Sequence, residues 1–211
     1  MIELDVQLSS DGELIVIHDF ELERTTNGRG TVRQHSLDAL RQLDAGSWFS
    51  PEFHGERILT LSEVFELVGE RANLNVEVKP TAGDEQHLAS TLLALLRHFG
   101  KTESTIISCF DFGVLRRVRA LDAAVPIGLL THDADFSNTL AVARELRARS
   151  VHPYWALVTP DLISDARKAA LEVIVWTVND VAAMDEVLRC GVDGIISDHP
   201  ERFCEVGRRF G

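Results

Sequence analysis

The sequence lacks several features that define large classes of protein. No apolar run approaches the ~20 residues that cross a bilayer, so we expect no stable membrane insertion. Lys and Arg total only 21 against 33 Asp and Glu, and the net charge of −12 excludes nucleic acid as an expected partner. Cys109, Cys190 and Cys204 fit no metal or redox spacing, which predicts ordinary thiols in a reducing, cytoplasmic compartment.

What is present is enough for one folded domain. The chain has 211 residues, of which 45% are apolar, and this content is typical of a globular protein rather than a disordered one. Domains commonly have about 100–200 residues, and barrels reach about 250. We therefore predict a single domain over residues 1–211. The sequence does not predict the oligomeric state.

From about residue 73 onward, short β-branched runs alternate with stretches of helical period. Strands are predicted at 73–79, 105–110, 126–131, 150–154, 172–178 and 194–198, and helices near 86–99, 112–121, 137–149, 161–170 and 180–190. This alternation indicates a parallel sheet with crossover helices. We predict an α/β fold of the TIM (β/α)₈ type that lacks its first strand and helix. The alternative is an open doubly wound sheet, but no Gly-rich nucleotide loop follows an early strand.

Residues 20–59 interrupt this alternation. They include a turn-rich stretch from Arg24 to Gly30, and we predict that they form an insertion over one end of the sheet. Regular structure resumes at Thr60 and Glu63, a capping-box pair that predicts a helix over 61–70.

The first strand carries acidic residues on one face. Glu3 and Asp5 alternate with apolar residues over Ile2–Leu8, and Asp11-Gly12 then gives a strong hairpin signal. If these two residues form the loop, Asp5 lies opposite His18, with Cβ atoms roughly 5 Å apart, and Glu3 is the diagonal neighbour. The alternative is that the acidic residues mark a solvated face and that His18 is an ordinary surface histidine.

A second strand presents Asn75, Glu77 and Lys79 on one face, just before Pro80. In a parallel barrel, ionisable groups at the carboxyl end of a strand point into the mouth. Burying carboxylates without a cation costs several kcal/mol, and three oxygen ligands suit a hard ion, Mg²⁺ or Ca²⁺. The alternative for Glu77 and Lys79 is an ion pair on an exposed edge.

A divalent ion would also reverse the local sign of charge in a protein whose net charge is −12. Lys79 would add a further positive charge beside it. With His18 to accept or donate a proton, these groups suit phosphoryl chemistry on a small anionic substrate.

Several motifs, in this order, resemble those of the glycerophosphodiester phosphodiesterase family, and the resemblance is strongest to its bacterial cytoplasmic type. They extend over nearly the whole chain and are Glu3-Leu4-Asp5-Val6, Asp11-Gly12, Val16-Ile17-His18-Asp19, Arg24-Thr25-Thr26-Asn27-Gly28-Arg29-Gly30, Asp44-Ala45-Gly46-Ser47-Trp48-Phe49, Asn75-Val76-Glu77-Val78-Lys79-Pro80, Ile107-Ser108-Cys109-Phe110, Trp176-Thr177-Val178-Asn179 and Gly191-Val192-Asp193-Gly194-Ile195-Ile196-Ser197-Asp198.

This resemblance implies a TIM barrel with the PLC-like phosphodiesterase fold, which hydrolyses glycerophosphodiesters to glycerol 3-phosphate and an alcohol. It implies that Glu3, Asp5 and Glu77 bind Mg²⁺ or Ca²⁺. It also implies that His18 is one of two acid/base histidines and that Lys79 contacts the phosphate.

Two further substrate-binding residues are expected from the same resemblance. Trp176 matches an aromatic position near the glycerol end, with plain core packing as the alternative. His152 lies at the end of a predicted strand, near a position where the family often has a histidine, and the alternative is a surface or hydrogen-bonded histidine.

The start of the chain departs from the family pattern. Members open with a strand that ends in His-Arg-Gly, whereas this sequence begins within the following strand. The absent histidine would be the acid/base partner of His18, and loss of such a group costs typically 10²–10⁴-fold in rate. We therefore expect a shortened form of a longer protein, with impaired activity. The alternative is a non-catalytic remnant that binds a divalent metal or glycerophosphate without turnover.

Overall fold

The structure is a computed structural model that describes residues 1–203 and residue 206. Its internal contacts divide the chain into two compact units. The first unit is Met1–Ile107 with Arg116–Val125, and the second is Ser108–Leu115 with Pro126–Gly211.

The first unit is built around a sheet whose strands follow the order β2-β1-β3-β4. The strands are β1 (Ile2–Leu8), β2 (Leu14–Val16), β3 (Leu74–Val78) and β4 (Thr105–Cys109), the last of which has residues in both units. β1 pairs antiparallel with β2 and parallel with β3. The parallel pair places corresponding carboxyl ends at one edge of the sheet.

The helices of the first unit are α1 (Leu37–Leu40), α2 (Leu61–Val68) and α3 (Glu85–His98), and α4 (Phe112–Leu121) has residues in both units. Two of them begin at a side-chain cap, Ser36 at α1 and Thr60 at α2. At α2, the Thr60 hydroxyl accepts from the Glu63 amide while the Glu63 carboxylate accepts from the Thr60 amide. This reciprocal pair is the predicted capping box, and it is confirmed.

The segment between β2 and α2 has a small core of its own. Its buried members are apolar and come from the hairpin and the predicted insertion: Ile15, Ile17, Leu22, Val32, Leu40 and Ile58. Burial of these side chains gives a segment with little regular structure a fixed position against the hairpin.

The second unit repeats strand and helix with parallel pairing throughout. Its elements are β5 (Ile127–Thr131), α5 (Phe136–Glu145), β6 (Ser150–Pro153), α6 (Pro160–Lys168), β7 (Glu172–Val175), α7 (Val181–Cys190) and β8 (Gly194–Ile195). The pairs β5–β6, β6–β7 and β7–β8 are all parallel. The Thr159 hydroxyl caps α6, and Gly191 ends α7 with a φ of +93°, a conformation that favours glycine. The predicted α/β class and its alternation are confirmed.

The register predicted for the first hairpin is wrong. In the structure Val6 pairs with Val16 and Gln7 with Ile15, so the partner of Asp5 is Ile17, not His18. The reason is a longer loop over 9–13. The loop is closed by the Ser9 amide donating to the Glu13 carbonyl (2.9 Å) and the Glu13 amide donating to the Ser9 hydroxyl (2.9 Å).

Two further expectations concern the chain as a whole. Within residues 1–203, no helix is both long enough and apolar enough to cross a membrane. Cys109 is buried and Cys190 is partly buried, and Cys204 lies outside the described residues.

Candidate active site

Three carboxylates meet at the pairing of β1 with β3. Parallel pairing places Asp5 beside Glu77, and strand alternation puts Glu3 on the same face as Asp5. One oxygen of each of the three side chains lies within 4.8 Å of the others. The convergence predicted from two separate strands is therefore present, and it arises from backbone pairing alone.

Lys79 follows β3 directly and reaches back into this acidic cluster. Its Nζ donates to Glu77 Oε1 at 2.6 Å and lies 3.0 Å from Asp5 Oδ1. The side chains of Lys79, Asp5 and Glu77 are only 13%, 15% and 12% exposed. The ion pair predicted as the alternative does exist, but it is largely buried within the cluster and includes Asp5.

Burial sets the protonation behaviour of this cluster. Burial raises the pKa of Glu77, while the hydrogen bond and charge of Lys79 oppose that shift. Burial also works to lower the pKa of Lys79, but the hydrogen bond to Glu77 and the charge of Asp5 outweigh it, so the pKa rises. Lys79 therefore stays protonated and positively charged at neutral pH.

The donor set fits a divalent ion. Carboxylate oxygens are the ligands that hard cations such as Mg²⁺ and Ca²⁺ prefer, and three of them converge here. With every group ionised, three carboxylates and one ammonium leave two negative charges in a partly buried site, which a divalent cation would neutralise. The chemistry of Glu3, Asp5 and Glu77 is thus consistent with the predicted ligands.

His18 reaches the same region by a different route from the one predicted. It lies on a bend after β2, and the neighbouring Ile17 amide donates to the Asp5 carbonyl at 3.1 Å. A positive charge on His18 lowers the pKa of Glu77, although its effect is smaller than those of burial, Lys79 and Asp5. The side chain is 62% exposed, so the imidazole is accessible to a ligand.

Sequence reasoning missed three residues around His18. Asp19 Oδ1 lies 2.6 Å from His18 Nδ1, Arg24 binds the Asp19 carboxylate, and Gln7 Nε2 donates to the Asp19 carbonyl at 2.6 Å. Signals for them were available, because Gln7 continues the alternation of Glu3 and Asp5 while Asp19 directly follows His18 in a family motif.

A cleft of about 340 Å³ opens beside the carboxyl ends of β1 and β3. Its lining residues come from β1, from the predicted insertion and from the loop after β3: Gln7, Phe20, Thr31, Arg33, Pro80, Thr81 and Ala82. The Arg33 guanidinium is already bound, since it donates to both oxygens of Asp84 and to the Ser9 carbonyl. The cleft therefore has the size of a small-molecule site, and its arginine is held in place by other groups.

Trp176 lies in an aromatic cluster of the second unit. Its ring centroid is 5.3 Å from that of Phe110 and 5.5 Å from that of Tyr154, and its Nε1 donates to the His152 carbonyl at 2.7 Å. Phe110 and Tyr154 are 38% and 37% exposed, so this cluster is partly open to solvent.

The His152 side chain is completely buried in β6. Nε2 contacts the Ser150 hydroxyl at 2.8 Å, and Nδ1 has no partner in the described part of the chain. Burial lowers its pKa to about 3. Of the two expectations for His152, the structure matches a hydrogen-bonded histidine rather than a residue that faces a ligand.

Comparison with known proteins identifies the group to which the chain is similar. Residues 1–202 match the Glycerophosphoryl diester phosphodiesterase family. A glycerophosphodiester phosphodiesterase of Caldanaerobacter subterraneus is 38% identical over 211 residues, which is 100% of this chain and 86% of the relative. One from Bacillus subtilis is 34% identical over 99% of this chain and 77% of the relative.

Solved structures agree with this assignment. An Oleispira antarctica phosphodiesterase, in complex with the product sn-glycerol-3-phosphate, has a TM-score of 0.90 and 28% identity over 98% of this chain and 84% of its own. The Agrobacterium tumefaciens glycerophosphodiester phosphodiesterase has a TM-score of 0.83 and 31% identity over 97% of this chain and 86% of its own. The TIM-type fold is confirmed. The chain belongs to the glycerophosphoryl diester phosphodiesterase family, a family of phosphodiester hydrolases.

Proposed function

We propose that this chain hydrolyses glycerophosphodiesters to glycerol 3-phosphate and an alcohol in a reaction that depends on Mg²⁺ or Ca²⁺. The observation that carries the proposal is the convergence of Glu3, Asp5 and Glu77 within 4.8 Å in a member of a phosphodiesterase family. A relative with 28% identity was solved with sn-glycerol-3-phosphate bound, which supports the substrate class.

Glu3, Asp5 and Glu77 are the proposed metal ligands. A divalent ion bound there would withdraw charge from the phosphoryl oxygens. The partly buried carboxylates favour a cation, because burial of their negative charge is unfavourable without one. The donor set does not distinguish Mg²⁺ from Ca²⁺, since both prefer oxygen.

Lys79 and His18 have complementary proposed roles. Lys79 Nζ, held at 2.6 Å from Glu77, would place a positive charge against the phosphate. His18, with an exposed imidazole, would accept a proton from the attacking hydroxyl or return it to the leaving oxygen. If no second acid/base group serves the reaction, the rate falls by the 10²–10⁴-fold typical of such a loss.

Trp176 is the proposed contact for the glycerol moiety. Phe110 and Tyr154 pack against its ring, and its Nε1 is tied to the His152 carbonyl, so the ring is held in one orientation. We do not include His152 itself among the proposed substrate contacts, because its side chain is fully buried. The single domain over residues 1–211 and the cytoplasmic location stay predictions.

The alternative is a protein that binds a divalent ion or glycerophosphate without turnover. The observation that favours it is the pairing of Lys79 with both Asp5 and Glu77. This pairing balances much of the charge of the cluster, and an arrangement of this kind is stable without any reaction.

The test is release of glycerol 3-phosphate from glycerophosphocholine after chelation and after addition of Mg²⁺ or Ca²⁺. We expect activity only with metal, its loss in Glu77→Gln, and a fall of about 10²–10⁴-fold in His18→Ala. Glu66→Gln is the matched control, because Glu66 is exposed on α2. Full activity in Glu77→Gln would contradict the metal assignment. Calorimetric metal binding by the unaltered chain without any product release would favour the alternative.

A further inference from the structure

A series of side-chain hydrogen bonds leads outward from His18. His18 Nδ1 is 2.6 Å from Asp19 Oδ1, and Arg24 binds the same carboxylate through two nitrogens. Arg24 Nη2 lies 2.9 Å from Oδ1, and Nε donates to Oδ2. Such a fork-to-carboxylate contact fixes the plane of the carboxylate as well as its position.

A buried side chain forms hydrogen bonds with the backbone of His18 and Asp19. Gln7 is 2% exposed, and its Nε2 is 2.6 Å from the Asp19 carbonyl and 3.2 Å from those of Ile17 and His18. The bend is therefore anchored to β1, the strand that also supplies Asp5. The contact of His18 with Asp19 follows from this anchored backbone.

Arg24 is also anchored. It lies in a turn next to Leu22, which is fully buried and whose amide donates to the Gly30 carbonyl at 2.9 Å. Thr26 closes the turn, because its hydroxyl and its amide both donate to the Leu22 carbonyl, at 2.6 and 3.1 Å. The Arg24 side chain is 56% exposed, but the backbone that carries it is fixed by the hydrogen bonds of this turn.

Electrostatics keep the Asp19 carboxyl ionised. The hydrogen bond from Arg24 is the largest cause that holds the pKa of Asp19 well below its usual range, and His18 acts in the same direction. An ionised carboxylate has no proton to donate and only accepts hydrogen bonds. Between Asp19 and His18, the proton must therefore be on Nδ1 of the imidazole.

We infer that Asp19, held by Arg24, is a positioning residue that fixes the His18 imidazole with its proton on Nδ1 and leaves Nε2 as the atom that exchanges protons with the substrate. The inference rests on the proposed function for the role of Nε2. In that role Nε2 accepts one proton, the imidazolium charge is balanced by Asp19, and the same proton is then released. The tautomer is set by the partner of the other nitrogen, as in other histidine–carboxylate pairs.

The decisive variant is Asp19→Asn. An Asn side chain keeps one acceptor oxygen, and the two donors of Arg24 compete for it, which turns the amide NH₂ towards His18. Nδ1 must then accept, so the proton moves to Nε2, the wrong atom for a base. The comparable change in a serine protease triad lowers kcat by about 10⁴. Here we expect about 10–100-fold, because the imidazole is exposed and retains water as a partner.

The first readout is the ¹⁵N spectrum of the imidazole at a pH where His18 is neutral, assigned by comparison with His18→Gln. We expect a protonated Nδ1 and an unprotonated Nε2 in the unaltered protein, and the reverse in Asp19→Asn. Asp122→Asn is the matched control, because it also breaks a carboxylate–arginine contact, with Arg97, that has no histidine. The control leaves the His18 spectrum unchanged.

The second readout is a double-mutant cycle on kcat. If Asp19 acts through His18, Asp19→Asn lowers kcat when His18 is present. In a protein that already carries His18→Ala, the same change lowers kcat further by less than about twofold. An equal loss in both backgrounds overturns the inference, as does an imidazole that carries its proton on Nε2 before any change. If Asp19→Asn fails to fold, Asp19→Ala gives a second test, because it removes the carboxylate that accepts from Nδ1 and so removes the tautomer preference. Absence of glycerol 3-phosphate release under every metal condition would overturn the proposed function, while the spectrum still decides the role of Asp19.

Discussion

We expect His152 to make the stability of the fold sensitive to acid. Its side chain is fully buried in β6, and burial lowers its pKa to about 3 from the ordinary 6.5. The unfolded chain therefore binds a proton as the pH falls through about 6.5, whereas the folded chain does not until about 3. Stability from this residue is fully present above pH 6.5 and is lost progressively between those two values.

The size of the effect follows from the two pKa values. At pH 5 the unfolded state lies about 1.5 pH units below its pKa of about 6.5, and at about 1.4 kcal/mol per unit its protonation costs the fold about 2 kcal/mol relative to pH 7.5, from His152 alone. With a urea m-value of about 2 kcal/mol/M, that is a shift of about 1 M in the unfolding midpoint.

The measurement is urea unfolding at both pH values, followed by tryptophan fluorescence. Trp176 reports on this region, because its Nε1 donates to the His152 carbonyl. His152→Gln is the comparison, since Gln does not titrate and can still contact Ser150. Every other titrating group is common to both proteins, so the difference between their pH dependences isolates His152. If both proteins lose the same free energy between pH 7.5 and pH 5, the buried, neutral state of His152 is wrong.

Three further predictions follow from other contacts. Gly128→Ala would place a Cβ 2.6 Å from His152 Nε2, so we expect a loss of about 1–3 kcal/mol in the free energy of unfolding, and an unchanged value would contradict that packing. Thr60→Ala removes the cap of α2 and should lower the unfolding free energy by about 1 kcal/mol, measured by thermal or urea denaturation. Lys79→Met removes the cation that contacts Asp5 and Glu77, so the metal-free protein should melt at a lower temperature and gain more from added Mg²⁺ than the unaltered protein; equal gains would refute this.

Short-range chemistry explains how much of the fold could be predicted. A capping box needs only residues three positions apart, so Thr60 and Glu63 indicated the start of α2 within one residue. Thr159, which caps α6 just before a proline, and Gly191, which ends α7, are signals of the same local kind. The parallel pairing of β1 with β3 is a long-range contact, but alternation on each strand was sufficient to predict which faces carry the acidic residues.

The hairpin register could not be predicted, because it depends on side chains within the loop. Ser9 accepts from the Glu13 amide through its hydroxyl and donates that hydroxyl to Asp11, and these bonds stabilise a loop longer than two residues. The shorter loop suggested by Asp11-Gly12 would change the partner of every residue that follows, including Ile15 and Ile17 in the insertion core.

His18 nevertheless lies near the predicted cluster, for a reason that strand pairing does not include. The true register pairs Asp5 with Ile17, and the chain then bends, so the next residue departs from the sheet and is held by Gln7. Strand alternation decides which face a side chain takes only while the strand continues. The position of His18 therefore comes from the bend and not from the pairing on which the expectation was based, and its catalytic role stays a prediction.

The contact of Lys79 with Asp5 and Glu77 is compatible with both expectations for β3, an ion pair and a metal site. An exposed Glu77–Lys79 pair and a buried metal site are alternatives only if the lysine and the metal cannot share the carboxylates. In the structure Lys79 contacts Asp5 and Glu77, while Glu3 also lies within 4.8 Å of both. Lys79 reduces the repulsion among three carboxylates that are brought together by strand pairing, and it leaves two negative charges. The charge that remains is the charge that a divalent ion would balance, so Lys79 stabilises the metal-free fold, lowers the affinity of the site for a metal, and still leaves the site negative enough to bind one.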